Sequence, residues 1–236
     1  SFIYPMRDCL QEADIDVFGR STRPEKDTTS VSPSGYFYIH YDTTGHAAAD
    51  TDYVHTVGIM ADSARYVLVD IDMLGYVSEP SDGTSGGGEG KYDIYIVNYS
   101  VGNYGLCISE DHGRSYIKID NDYIGYNSNF GQTPFEIMQI SLVHEYFHAI
   151  QFGYSVSLFG NTYFYEMSSM WFEDVLVPDG NDYLDAFWVD KLLDNPTANF
   201  YNTEDGYQLA LFGHYLSSFI DPKGAYDVKN STIIRE

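Results

Sequence analysis

Two histidines and a glutamate interrupt an otherwise apolar run, SLVHEYFHAIQF, near the middle of the chain. A helix with this sequence is apolar on nearly every side, so it has to be buried inside a folded domain. Buried histidines need polar partners. His144 and His148 are therefore either core residues bonded to backbone carbonyls or ligands of a bound group. The apolar residues around them are Ile137, Leu142, Val143, Phe147 and Ile150.

His144 and His148 stand four positions apart, so on a helix their imidazoles project from the same face. Two imidazoles placed in this way can bind one metal ion. Glu145 completes the pattern H-E-x-x-H, in which the carboxylate accepts a proton from water that the metal activates. The spacing predicts a hydrolytic metal site with His144 and His148 as ligands and Glu145 as the general base.

A catalytic zinc site takes three protein ligands and leaves one position open for water. A metzincin would supply the third ligand from the same segment, with glycine at position 151 and histidine at position 154. The chain has Gln151 and Tyr154 there, which excludes that pattern. A gluzincin instead takes a glutamate from the next helix, and Glu166 in YFYEMSSMWFE fits that place. We expect Glu166 to be the third ligand of Zn²⁺.

Composition narrows the class of protein. A net charge of −23 disfavours nucleic acids and anionic membranes as partners, because the field of the protein repels polyanions. No stretch of about 18 or more apolar residues is present, so no membrane span is expected. With 236 residues, of which 44% are hydrophobic, the chain suits one domain or one domain with two lobes. The oligomeric state is left open.

Three loops, PSDGTS, DNDY and PDGNDY, are rich in side-chain oxygens. Ca²⁺ prefers oxygen ligands, so Ca²⁺ is a second candidate cofactor beside Zn²⁺. None of these loops has the spacing of an EF-hand, and turns built from Asp, Asn and Gly are the alternative. The two cysteines, Cys9 and Cys107, are compatible with one disulfide or with two buried thiols.

The first half of the chain has mainly strand patterns. Residues 1–35 are polar and predict an N-terminal segment with an extended connector that builds no core. Aromatic and β-branched residues predict strands at Tyr36–Tyr41, in KYDIYIVNY and in SYIKID. Apolar residues at helical spacing predict a long helix with Asp50 as N-cap and Gly75 as C-cap. The glycine-rich stretch SEPSDGTSGGGEG predicts a flexible loop.

The second half of the chain is mainly helical. The H-E-x-x-H helix has a clear start, with Thr133 as N-cap, Pro134 at the first helical position and Glu136 placed for a capping box. Strands followed by helices indicate an α+β protein. We divide the chain into an N-terminal segment and connector, a sheet-containing lobe that ends in the H-E-x-x-H helix, and a helical lobe that supplies the third zinc ligand. Their ranges are 1–35, 36–153 and 154–236.

The two metal motifs together resemble a known group of enzymes. HEYFHAIQ followed by E-x-x-x-x-W-x-E is similar to the gluzincin-type zinc metallopeptidases, and more closely to a family of secreted bacterial metalloproteases. The second motif of that family usually reads E-G-x-A-x-W-x-E, and this chain has EMSSMWFE. Glu166, Trp171 and Glu173 match, while Met167 and Ser169 replace the glycine and the alanine. The resemblance extends from about residue 35 to about residue 220.

The resemblance implies a zincin-like fold, with a twisted mixed sheet packed on the active-site helix and then a mainly helical lobe. It also implies a secreted zinc endopeptidase that acts on peptide or protein substrates. In such folds an edge strand upstream of the zinc helix pairs with the substrate backbone. We expect that strand in SYIKID, with an ordinary internal strand as the alternative. Its substrate-binding residues would be Ser115, Tyr116, Ile117 and Lys118.

Two further roles follow from the resemblance. Gluzincins use a tyrosine or histidine of the helical lobe as a second donor to the oxyanion. Tyr207 and His214, two turns apart in YQLALFGHYL, are the candidates, with a core or surface role for Tyr207 as the alternative. Glu173 lies two turns after Glu166 and would accept the second ring proton of His144 or His148. The alternative for Glu173 is a solvent-exposed carboxylate.

Two other functions stay open. One is a zincin-like binding or adhesion module in which the metal is structural or lost, and Glu145 argues against it because a structural site needs no base. The other is a zinc exopeptidase, which lacks support because no G-A-M-E-N-like segment precedes the zinc helix. The chain opens at SFIYPMRDC without a visible signal segment, so we expect a secreted protein to have lost it. The end, NSTIIRE, suggests a piece of a longer product.

Overall fold

The computed structural model describes residues 22–84, 88, 90–99, 103–126, 130–154, 162–184, 186–197, 199 and 206–236. Over this part of the chain a five-stranded mixed sheet packs against helices, which confirms the predicted α+β class. The strands are β1 (Thr28–Val31), β2 (Phe37–Tyr41), β3 (Tyr92–Val97), β4 (Gly105–Ser109) and β5 (Ser115–Asp120). The helices are α1 (Thr51–Val69), α2 (Pro134–Tyr154), α3 (Thr162–Leu176), α4 (Ala186–Asp194) and α5 (Ala210–Tyr215).

The strand order of the sheet is β1-β2-β3-β5-β4. The three central strands run parallel, while β1 and β4 pair antiparallel at the two ends of the sheet. The strand Ser115–Asp120, predicted to be the substrate-binding edge, is β5 and lies between β3 and β4. The prediction of an edge at β5 was therefore wrong, because both sides of β5 are hydrogen-bonded to neighbours and all of its residues are buried.

The strand at that edge is β4, which the sequence did not predict. Its sequence, GLCIS, is short and is buried at four of its five positions. A strand buried on both faces lacks the apolar and polar alternation by which strands are recognised. The inner face contributes Cys107 to the main core, while Leu106 and Ile108 pack with Tyr95 and Tyr116 on the outer face.

The connector predicted for residues 1–35 also contains a strand. In β1, Thr28 pairs with Tyr41 and Val31 pairs with Tyr38 of β2. Its side chains alternate between half-buried and exposed, as expected for a strand at the end of a sheet. The segment before residue 22, including Cys9, lies outside the described residues.

Helix α1 begins as predicted and ends earlier than predicted. Asp50 is the N-cap and its side chain accepts a hydrogen bond from Tyr53 N at 2.8 Å. The helix ends at Val69 rather than at the predicted Gly75, because the following turn folds back onto its last carbonyls. Leu74 N donates to Val67 O at 3.1 Å and Tyr76 N donates to Leu68 O at 2.7 Å.

Helix α2 carries the histidine motif through the centre of the protein. Its predicted capping box is present, since Thr133 N donates to Glu136 Oε2 at 2.7 Å and Glu136 N donates to Thr133 Oγ1 at 3.3 Å. The helix packs between the inner face of the sheet and the helices α1 and α3. All residues from Ile140 to Phe152 are buried, as the apolar pattern predicted.

The segment Tyr207–Ile220, in the half of the chain predicted to be mainly helical, is divided into three helical types. Tyr207–Leu209 is a 3₁₀ turn, α5 follows, and Leu216–Ile220 forms a π turn. Trp171 of α3 anchors this region, because its indole Nε1 donates to Ser217 Oγ at 2.9 Å. Among the helices that the structure describes, none is long and apolar enough to span a membrane.

Candidate metal centre

His144 and His148 project side by side from α2 toward α3. Both side chains are buried, their rings stand at 80° with centroids 4.6 Å apart, and the two Nε2 atoms are 3.0 Å apart. Two ring nitrogens at this distance cannot both carry a proton that points at the other. One of them has to offer a lone pair, and a cation between them would allow both to do so.

Glu166 of α3 completes the triangle. Its Oε2 lies 3.1 Å from Nε2 of His144 and 3.6 Å from Nε2 of His148. Zinc bonds of about 2.0–2.1 Å place two tetrahedral ligand atoms about 3.3 Å apart. The three residues therefore fit a zinc ion in both donor type and spacing. Within the described parts of the chain, no other group of three or more His, Cys, Asp or Glu side chains is placed to share an ion.

The second nitrogen of each ring is held by another side chain. Nδ1 of His144 is hydrogen-bonded to Oε1 of Glu173 on α3, and Nδ1 of His148 lies 2.7 Å from Oε1 of Gln151. Glu173 is buried and contacts His144, as predicted, rather than being the solvent-exposed carboxylate of the alternative. Because both Nδ1 atoms donate, both Nε2 atoms are left as the atoms that can bind a metal.

The side chains of His144, His148 and Glu166 shift one another's pKa values. Burial lowers the pKa of His144 and outweighs the hydrogen bond with Glu166. Burial alone would also lower the pKa of His148, but the charge of Glu166 and the hydrogen bond to it raise this pKa to about 9. For Glu166, burial alone would raise the pKa, and the His148 charge with hydrogen bonds from both histidines lowers it to about 2. The pocket thus favours a positive charge beside Glu166.

The side chain of Glu145, on α2, is buried against Gly105, the first residue of β4. A Cβ atom added at Gly105 would lie 2.9 Å from Cγ and 3.5 Å from Oε1 of Glu145. The proposed general base therefore rests directly against the backbone at the edge of the sheet. Gly105 was not among the predicted site residues, and only the absence of its side chain permits this approach.

The two candidate donors to the oxyanion, Tyr207 and His214, lie in the helical segment that follows residue 206. The ring centroid of Tyr207 is 6.3 Å from that of His144. The ring of His214 instead lies beside that of Tyr183, with the centroids 4.7 Å apart and the planes tilted by 37°. Its Nε2 is 3.6 Å from Asp174 Oδ2, and burial lowers the pKa of His214 to about 4. Tyr207 belongs to the 3₁₀ turn and His214 belongs to α5, and their role as donors to the oxyanion stays a prediction.

Two other residues of interest had weak or no sequence signals. In the sequence, Gln151 stands out only because it departs from the metzincin pattern. Its position three residues after His148, which places it on the same helix face, is the signal that could have identified it. Cys107 is a buried free thiol in β4, and burial raises its pKa well above the ordinary value. The oxygen-rich loops remain a prediction of calcium binding.

Comparisons with protein-family models, curated proteins and solved structures returned no match to this chain. The donor types, distances and burial of the site residues are therefore what indicates a function for this protein.

Proposed function

We propose that this protein is a zinc-dependent endopeptidase of the gluzincin type with a zincin-like fold. The observation that carries the proposal is the buried triangle of His144, His148 and Glu166, with Glu145 beside it on the same helix. A site that only stored a metal would not require a carboxylate between its two histidines. A binding or adhesion module with a structural metal is therefore the weaker alternative.

His144, His148 and Glu166 would hold the ion. When bound, zinc lowers the pKa of a water molecule and polarises a carbonyl group, which is the chemistry that peptide hydrolysis needs. Glu145 accepts a proton from the attacking water and passes it to the nitrogen of the leaving amine. Tyr207, on the His144 side of the site, is the proposed donor to the oxyanion.

Substrate binding is assigned to β4 rather than to β5. In the described part of the chain, β4 is the last strand of the sheet at this end. An extended peptide can add to such an edge through main-chain hydrogen bonds, which tolerates varied side chains. Because β4 begins at Gly105 and Gly105 touches Glu145, a peptide bound along β4 has its backbone next to the proposed base.

The test is cleavage of peptides blocked at both ends by the zinc-loaded protein. Cleavage at internal sites would support an endopeptidase and exclude an exopeptidase, which requires a free terminus. Glu145→Gln is expected to retain zinc and to lose turnover by about 100-fold or more, because proton transfer is removed.

Glu136→Gln is the matched control. It makes the same chemical change on the same helix, and glutamine also serves in a capping box, so activity should be unchanged. Full turnover in Glu145→Gln, or no cleavage of any blocked peptide by the zinc-loaded parent, would contradict the proposed function.

A further inference from the structure

Gln151 connects a zinc histidine to the helix that bears the third ligand. Its Oε1 lies 2.7 Å from Nδ1 of His148. Its Nε2 donates to the carbonyl oxygen of Tyr165 at 3.0 Å and to Oγ of Ser168 at 2.9 Å. Tyr165 and Ser168 stand on either side of Glu166 in α3. The side-chain amide of Gln151 therefore links His148 on α2 to the segment of α3 that carries Glu166.

The hydrogen bonds of Gln151 have a fixed direction. Ser168 Oγ donates to the carbonyl of Phe164 at 2.6 Å, so it is able to accept from Gln151. Both amide hydrogens of Gln151 are then used, and its oxygen has to face His148. An amide oxygen only accepts, so Nδ1 of His148 carries the proton. Ser169, whose Oγ is 3.3 Å from the same Nδ1, can donate or accept and would not impose this direction alone.

The two zinc histidines consequently have different partners. His144 is held by a carboxylate, Glu173, whereas His148 is held by a neutral amide. The pocket already contains the three buried carboxyl groups of Glu145, Glu166 and Glu173. A neutral acceptor orients His148 without adding a fourth negative charge to this enclosed space.

We propose that Gln151 is a positioning residue of the metal site. It holds His148 with Nε2 directed at the ion and ties α3 to α2 on both sides of Glu166. This inference rests on the proposed function, since it assigns Gln151 a role toward the zinc ion of that same site. Partners of this kind typically contribute 10–100-fold to metal affinity, so we expect about that loss when Gln151 is removed.

The experiment uses the whole chain and measures zinc affinity by competition with a chelator of known affinity. Gln151→Met keeps the size of the side chain and removes its acceptor and donors, and should weaken zinc binding about 10–100-fold. Gln139→Met is the matched control on the same helix. Its amide contacts only Met60 Sδ at 3.7 Å among the contacts described for it, so zinc affinity should be unchanged.

A second readout separates positioning from a general loss of stability. In the zinc-loaded protein the Nδ1 proton of His148 should give a slowly exchanging, downfield resonance in NMR spectra. This resonance should exchange rapidly with solvent in Gln151→Met and should stay protected in Gln139→Met. A purely structural role would leave the exchange of this one proton unchanged in a folded Gln151→Met.

The outcomes distinguish this inference from the proposed function. If the parent does not bind zinc, both are overturned. If the parent binds zinc and cleaves blocked peptides but Gln151→Met has the affinity and the proton exchange of the parent, only the role of Gln151 is overturned. Should Gln151→Met fail to fold, Ser168→Ala releases one amide hydrogen of Gln151 and should weaken zinc binding by a smaller factor. Unchanged affinity in Ser168→Ala would then count against the inference.

Discussion

Gly105 determines how closely the edge of the sheet approaches Glu145. Glycine fits at this position because it has no Cβ atom, whereas the side chain of any other residue would overlap that of Glu145. The backbone at Gly105 does not have a positive φ, so alanine could adopt the same conformation. A substitution at this position therefore tests contact with Glu145 separately from backbone strain.

Gly105→Ala is predicted to lower turnover while zinc remains bound. The new methyl group would lie 2.9 Å from Cγ of Glu145, which forces the carboxylate or the strand to move. Displacement of a proton-transfer group by about 1 Å costs about 100-fold in rate. Steady-state kinetics on a blocked peptide and zinc analysis of the same sample would measure both quantities.

Gly153→Ala is the control for this variant. It adds a methyl group near the C-terminal end of α2, where the nearest atom is in the Pro80 ring at 3.1 Å. It should retain the activity of the parent. Parental activity in Gly105→Ala as well would show that Glu145 does not depend on the close approach of β4.

One ionic cluster joins five separate segments of the chain. Arg23, in the segment before β1, forms ion pairs with Asp82 of the glycine-rich loop, Asp93 of β3 and Glu110, which follows β4. His40 of β2 contacts the same Asp93 at 2.6 Å. Arg23 thereby holds the far end of the proposed substrate strand against the sheet.

Three carboxyl groups surround the single guanidinium, so the cluster favours a proton on one of them. Burial, together with the neighbouring Asp93, raises the pKa of Asp82 to about 7 against the opposing effect of Arg23. Burial raises the pKa of Tyr95, another neighbour of Arg23, to about 12, so its hydroxyl group stays neutral near pH 7. Asp82 is thus the carboxyl group of this cluster that titrates near neutral pH.

The stability contributed by Asp82 is predicted to fall as pH rises. Its pKa is higher in the folded protein than the ordinary value of 3.8, so folding favours the protonated form. That contribution is fully present below about pH 4 and is lost progressively up to about pH 7. Asp82→Asn, a neutral mimic, should remove this dependence and be more stable than the parent at pH 8.

Urea unfolding of the two proteins at pH 5 and pH 8 measures the difference directly. Comparing the variant with the parent cancels the titration of all other groups. An equal free-energy change with pH in the parent and in Asp82→Asn would contradict the assigned protonation of the cluster.

Local patterns predicted the elements that carry strong periodicity or caps. The start of α1 at Asp50 and the capping box of α2 follow from side chains adjacent in sequence, and the structure contains both. The edge strand β4 and the end of α1 depend on contacts with other segments of the chain. A pattern of neighbouring residues in the sequence does not contain those contacts. The candidate metal ligands could be predicted from their spacing in the sequence. Gly105 could not, because its contact with Glu145 arises only when β4 packs against α2.

The buried core is continuous from the sheet to the last described residues. One cluster of buried residues includes Ile94 of β3, Val143 of α2, Trp171 of α3 and Ile234 near the C-terminus. The proposed ligands lie on α2 and α3, and both helices contribute residues to this cluster. The packing of the core therefore sets the positions of the ligands. A site held in this way requires little rearrangement to accept an ion.

Zinc content is the most direct test of the proposed metal site. Elemental mass spectrometry of the chelator-free parent, after zinc is supplied and excess is removed, should find one zinc ion per chain. Glu166→Ala should lose it, while Asp174→Ala on the same helix should keep it. A parent without zinc, or Glu166→Ala with as much zinc as the parent, would contradict the site of His144, His148 and Glu166.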